Sequence, residues 1–116
     1  MKKPPKPSHR DVYAVGDERN RVKIGVSNNA GNRILNLQTG TADKLRMIHV
    51  ENVEYELGTK VERRALQILG EQGKDGVREW RNNVSDEEAR NSIQTAYEIE
   101  RGNNQEQYDL FRKRLK

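Results

Sequence analysis

Apolar and polar positions alternate with period two near the start of the chain and then switch to helical spacing, and the switch defines the first elements. Residues 12–15 (Val-Tyr-Ala-Val) and 21–26 (Arg-Val-Lys-Ile-Gly-Val) are β-rich runs. They are separated by Gly16, Asp17, Glu18, Arg19 and Asn20, whose turn-forming chemistry predicts an antiparallel hairpin. With all five residues in the loop, Ala14 opposes Val22 and Tyr13 opposes Lys23. Val12, Ala14, Val22 and Ile24 then share an apolar face, and Tyr13, Lys23 and Gly25 share the opposite, wetter one.

Ser27 or Asn28 is positioned to cap a helix whose apolar residues Ala30, Ile34 and Leu37 follow helical spacing, with Gly40 as its stop and Arg33 within it. Residues 45–53 predict a third strand that completes a minimal sheet. A second helix is expected over 55–69, ending at Gly70, with Leu57, Val61, Ala65 and Ile68 on its buried side. Glu62, Leu66 and Leu69 form the adjoining line, so Glu62 is expected at the edge of the apolar stripe. Thr59 and Glu62 also fit a capping box, which would make Glu62 a helix-start residue. Residues 73–76 read as a loop and 77–80 as a short extended segment. Ser85 and Glu88 form a clearer capping box ahead of Ala89, Ile93, Ala96 and Tyr97, and Tyr108, Phe111 and Leu115 suggest a terminal helix.

The fold class implied is α+β: a three-stranded antiparallel sheet surrounded by helices. Pro4, Pro5 and Pro7 mark residues 1–10 as a flexible basic arm, followed by one domain over 11–101 and a C-terminal helix over 102–116. At 116 residues there is room for one core and not two. Only 32% of residues are hydrophobic and 34% are charged, so that core must be small.

The chain has no cysteine, which excludes disulfides and thiolate metal sites. No apolar run approaches the roughly 20 residues needed to span a bilayer, and a cytoplasmic protein without a membrane partner is expected. The net charge of +4 is unevenly placed: residues 1–10 and 112–116 each carry +4, leaving −4 on the rest. Basic ends are attracted to polyanions, although they also serve simply to solubilise.

The ordered set Val12-Tyr13-Ala14, Lys23-Ile24-Gly25, Arg33 with Leu37-Gln38-Thr39-Gly40, Val61-Glu62-Arg63-Arg64 and Glu79-Trp80 resembles the GIY-YIG nuclease superfamily, in its phage-associated branch with Lys-Ile-Gly in place of Tyr-Ile-Gly. The resemblance covers roughly residues 11–97. It implies a metal-dependent DNA endonuclease, with double-stranded DNA as partner and Mg²⁺ or Mn²⁺ as cofactor. It also implies the site: Tyr13 acts on the attacking water, Lys23 takes the place of the second motif tyrosine, Arg33 stabilises phosphate charge, and Glu62 holds the metal.

The residue types suit those roles. Phosphodiester hydrolysis needs a deprotonated water and relief of charge building on phosphate oxygens. A tyrosine, ordinarily of pKa about 10, needs positive charge nearby to act as a base, and Lys23 is the predicted neighbour. Arg33 is a rigid fork for phosphate, and Glu62 is a hard oxygen ligand. Val12 stands where the motif has glycine, Gln67 where this branch often has histidine, and Asn82 or Asn83 occupies the region of a late asparagine. Trp80 reads as a core anchor, Glu79 as a surface charge or a support for the site, and His49 as structural. Two alternatives stand beside the enzyme: a noncatalytic nucleic-acid-binding module that keeps the fold, and a protein-interaction domain, with homodimerisation open in each case.

Overall fold

The computed structural model describes residues 7–70 and 80–102. The fold is α+β. Strands β1 (His9–Gly16), β2 (Arg21–Ser27), β3 (Arg46–Glu54) and β4 (Arg81–Asn82) form an antiparallel sheet in the order β3-β1-β2-β4, joined by helices α1 (Ala30–Thr39), α2 (Gly58–Leu69) and α3 (Asp86–Gly102). The sheet therefore has four strands where the hydrophobic pattern predicts three. A two-residue strand carries no alternation from which it could be read. No described helix is long and apolar enough to cross a membrane.

The hairpin is tighter than expected. Ala14 pairs with Ile24, Val15 with Lys23, and Tyr13 with Gly25, two residues away from the predicted register. Asp17 is the cause. Its Oδ1 accepts the backbone N–H groups of Arg19 and Arg21, both at 2.9 Å, and its Oδ2 accepts Arg21 Nε at 2.7 Å. The Asp17 N–H donates to Arg21 O, and Asn20 takes the left-handed conformation at φ 61°. A shift of two preserves alternation, so Val12, Ala14, Val22 and Ile24 still share one face.

Asp17 is buried. Burial by itself would push its carboxyl up, but the Arg21 N–H, the Arg21 guanidinium and the Arg19 N–H together hold it below its ordinary value. A carboxylate depressed in the folded state contributes stability above its unfolded pKa and loses it as pH falls through the folded value. Asp17→Ala is therefore expected to cost about 2–4 kcal/mol at pH 7, because it strands buried N–H groups and a guanidinium. The penalty should shrink below about pH 4, where the unfolded carboxyl is protonated. Urea unfolding of both proteins at the two pH values measures this.

Both faces of the sheet are covered. On the face of Val12, Ala14, Val22 and Ile24, helices α2 and α3 bring Val61, Ala65, Ala89, Ile93 and Ala96 to complete the main core. The other face was expected to be wet. Instead Tyr13 and Val15 pack with Ala30 and Leu45, flanked by Ile34, Leu37, Met47 and Trp80, in a second small core under α1. Tyr13 is only 1% exposed and Lys23 7%.

Local chemistry holds the covering helices. Asn29, and not Ser27 or Asn28, is the cap of α1, accepting Asn32 N–H at 3.0 Å. Asp11 Oδ2 accepts the Ala30 N–H at 3.0 Å while its Oδ1 accepts Asn52 Nδ2 at 2.9 Å, tying β1, α1 and β3 together. The capping box of α3 forms in both directions: Ser85 Oγ accepts Glu88 N–H, and Glu88 Oε1 accepts Ser85 N–H.

The expected arm of residues 1–10 overlaps the domain, because β1 begins at His9. Arg10 belongs to it: its Nε donates to Tyr55 O and its Nη2 to Thr59 Oγ1, both at 2.8 Å, with its guanidinium 4.2 Å from the centre of the Tyr55 ring. The loop predicted over 73–76, most of the extended segment over 77–80, Glu79, and the terminal helix bearing Tyr108, Phe111 and Leu115 lie outside the described residues.

Candidate functional site

Strand β4 pairs only with Arg21 and Val22. Among the described residues, the edge of β2 from Lys23 onward has no strand partner, and the two sheet faces meet there. A cavity of about 320 Å³ opens at this edge, and Tyr13, Lys23, Arg33 and Glu62 all line it, with Gly25, Leu66 and Arg81 among the other walls.

Each element delivers its residue for an identifiable reason. Tyr13 is directed away from the main core by strand alternation, and its ring lies across Gly25, its pairing partner on β2. A Cβ at Gly25 would overlap the Tyr13 Oη and Cζ atoms, so only glycine leaves room for the ring there. Lys23 sits two residues along β2 on the same face, diagonal to Tyr13 and directly opposite Val15. The sequence-level pairing of Tyr13 with Lys23 is thus corrected from opposite to diagonal. The pair still faces one cavity, because a diagonal neighbour on the same face is within reach of long side chains.

Arg33 stands on the exposed side of the first turn of α1, whose start is held by Asn29 and Asp11, and it forms the rim of the cavity. Glu62 follows Val61, which is fully buried in the main core. One step along a helix turns the side chain by about 100°, which swings Glu62 and Leu66 from the core to the edge of β2. The capping-box reading of Glu62 is not what forms. The cap of α2 is Leu57, without a side-chain bond, and Thr59 Oγ1 is occupied by Arg10.

Half-burial pushes the Glu62 carboxyl above its ordinary value, against the opposing pull of Arg10, Lys23 and Arg63. Two of these influences escaped the sequence reading, as did Arg81. Arg10 shares the parity of Val12 and Ala14, which places it on the α2 side of the sheet, and that spacing was visible in the sequence. Arg81 is carried by the two-residue strand, which has no such signal.

The walls carry three cations, Lys23, Arg33 and Arg81, against one carboxylate. Such a site favours an anion. Among the described residues there is no group of three or more His, Asp or Glu side chains that could hold a metal ion. A divalent cation would accordingly take Glu62 as its single protein carboxylate and draw its other oxygens from water and the anion, an arrangement that suits Mg²⁺.

The remaining candidates lie elsewhere. His49 Nε2 is paired with Glu51 at 3.2 Å, and Ser8 Oγ lies 2.9 Å from His9 Nδ1. Neither Asn82 nor Asn83 lines the cavity. Asn83 is a turn residue at φ 57°, donating its N–H to Asn20 O. Trp80 packs against the second core, with the Arg21 guanidinium 5.3 Å from its ring centre, in keeping with an anchor. Comparison of the chain with protein-family models, with curated proteins and with solved structures finds no match.

Proposed function

We propose that this protein is a metal-dependent endonuclease of the GIY-YIG type that hydrolyses phosphodiester bonds in DNA. The observation that carries the reading is the convergence of Tyr13, Lys23, Arg33 and Glu62, from two strands and two helices, on one cationic cavity.

Within that reading, Lys23, Arg33 and Arg81 draw the phosphodiester into the cavity, and Arg33 offers a two-pronged donor to its nonbridging oxygens. These fixed charges stabilise the negative charge that builds as water attacks. The Tyr13 side chain, held rigidly between Gly25 and the second core, positions that water and in its phenolate form takes its proton, becoming the phenol, with Lys23 as the neighbouring positive charge. A Mg²⁺ or Mn²⁺ ion bound through Glu62 would act as a Lewis acid on phosphate and leaving oxygens. Glu62 itself must be ionised to serve as a ligand, so cleavage should fall as pH drops and Glu62 takes up its proton.

The test is conversion of supercoiled plasmid to nicked and linear forms in Mg²⁺ or Mn²⁺. Cleavage is expected with the wild type and should stop on chelation. Tyr13→Phe and Arg33→Ala are each expected to slow it by about 10²–10³-fold. The excess of cations over acids in the cavity favours a second reading, a noncatalytic nucleic-acid-binding module. Salt-sensitive DNA binding that survives Glu62→Ala, with no cleavage in either metal, selects that reading over the first. No affinity for nucleic acid would sink both.

A further inference from the structure

A second charged groove lies on the far side of α2. Lys60, Arg63, Arg64 and Gln67 line it, and Glu100 of α3 forms its opposite wall; its volume is about 350 Å³. Helical spacing sets these residues on one outward face: Arg63 is about 100° around from Glu62, and Gln67, Lys60 and Arg64 follow in the same sense. Arg63 also lies near enough to Glu62 to act on its ionisation. The cationic band therefore starts beside the candidate site and continues over the helix.

The members of the groove are not equivalent. Arg64 is held in place: its guanidinium pairs with Glu100 Oε1 at 3.0 Å, and its Nη1 donates to Gln67 Oε1 at 3.3 Å. That bond uses the Gln67 carbonyl, and no described residue accepts from its amide N–H groups. Lys60 and Arg63 are exposed, and neither forms a hydrogen bond or ion pair with a described residue. One carboxylate thus faces three cations, and the surplus charge rests on Lys60 and Arg63, which no described residue holds by a hydrogen bond or ion pair. Like charges this close on one helix repel, and an anion in the groove relieves that repulsion.

We propose that this groove is a second phosphate subsite, in which Lys60, Arg63 and the Gln67 amide bind a backbone phosphate of the nucleic acid whose scissile phosphate occupies the β2-edge cavity. The inference rests on the function proposed above. A helix with its side chains is about 10–12 Å across, so the two sites are separated by a distance that a polynucleotide bridges and a dinucleotide does not. The groove contributes affinity and register without reading base sequence.

The experiment is fluorescence anisotropy with a labelled duplex two helical turns long, in chelator so that no cleavage occurs, repeated across a salt series. Lys60→Ala/Arg63→Ala should weaken binding by about tenfold at moderate salt and flatten the slope of log affinity against log salt by about 1–2. Affinity for a labelled dinucleotide, which occupies the β2-edge cavity alone, should fall far less than affinity for the duplex. Lys60→Arg/Arg63→Lys should keep the wild-type slope, which separates charge from packing, and far-UV circular dichroism controls for folding. An unaltered slope in the alanine variant, with the wild type still binding and cutting DNA, overturns this inference alone. Absence of duplex binding by the wild type overturns the proposed function with it. Loss in the alanine variant of binding to phosphatidylserine vesicles, with duplex binding intact, assigns the groove to a membrane surface and also overturns it.

Discussion

Glu62→Gln is expected to abolish metal-dependent cleavage while making the protein more stable at neutral pH. The two effects have one cause. The carboxyl is half-buried at the end of a helical apolar stripe, and burial raises its pKa despite three nearby cations. A carboxyl raised above its unfolded value contributes its full stability below the unfolded pKa and loses it as pH rises through the folded one. At pH 7 ionised Glu62 is therefore a cost to folding, and the neutral amide of the same shape removes it. Catalysis should suffer in the opposite direction by about 10³-fold or more, the scale on which a preorganised charged group acts at a phosphoryl centre. Thermal unfolding at pH 7 and pH 4 checks the first half: the variant should have the higher Tm at pH 7, and the gap should narrow at pH 4. Plasmid cleavage checks the second. A wild type that is more stable than the variant at pH 7 would mean that Glu62 is satisfied by its cationic neighbours as an ordinary structural ion pair, leaving no stored charge for a metal.

Gly25→Ala should destabilise the protein and distort the candidate site together. The added methyl would meet the Tyr13 phenol oxygen and ring carbons head-on. Tyr13 cannot swing aside cheaply, because it is almost fully buried against Val15, Ala30 and Leu45. Overpacking of this kind costs about 1–3 kcal/mol, and contact with a rigid ring at a paired position belongs at the upper end. In a domain of this size that lowers Tm by about 4–8 °C for each kcal/mol. Pairing it with Tyr13→Val should recover most of the lost stability, since the methyl then fills space vacated by the ring. Activity should not return, because the phenol is gone. Chemical denaturation of the four proteins in this cycle yields the coupling energy. Simple additivity of the two substitutions would show that Gly25 does not hold its place by accommodating Tyr13.

The contrast between these residues shows where sequence reasoning reached and where it stopped. The parity of Val12, Ala14, Val22 and Ile24 was legible because alternation survives a register shift of two. The shift itself was not, because it depends on one carboxylate, Asp17, gathering two N–H groups and a guanidinium into a four-residue turn. The line of Glu62 and Leu66 beside Val61 and Ala65 was legible from helical spacing. That Glu62 faces a cavity and does not cap α2 depended on the helix starting at Gly58, with Leu57 as its cap, and on the edge of β2 lying beside it. Similarly, the Ser85 and Glu88 capping box involves only neighbours and formed as expected, whereas the two-residue strand that delivers Arg81 has no periodic pattern.

From sequence alone followed the α+β class, the positions of the main strands and helices, and the apolar face of the hairpin. These depend on local spacing, which every residue carries with it into the fold. Tertiary structure alone decided that Tyr13 is buried, that Lys23 lies diagonal to it, that Glu62 is half-buried with Arg10 and Arg63 acting on it, and that Arg81 joins the cavity wall. Each of those depends on which distant surface covers a side chain. Helix α1 turns the expected wet face of the sheet into a second core, and the shortness of β4 leaves the edge of β2 open as the cavity.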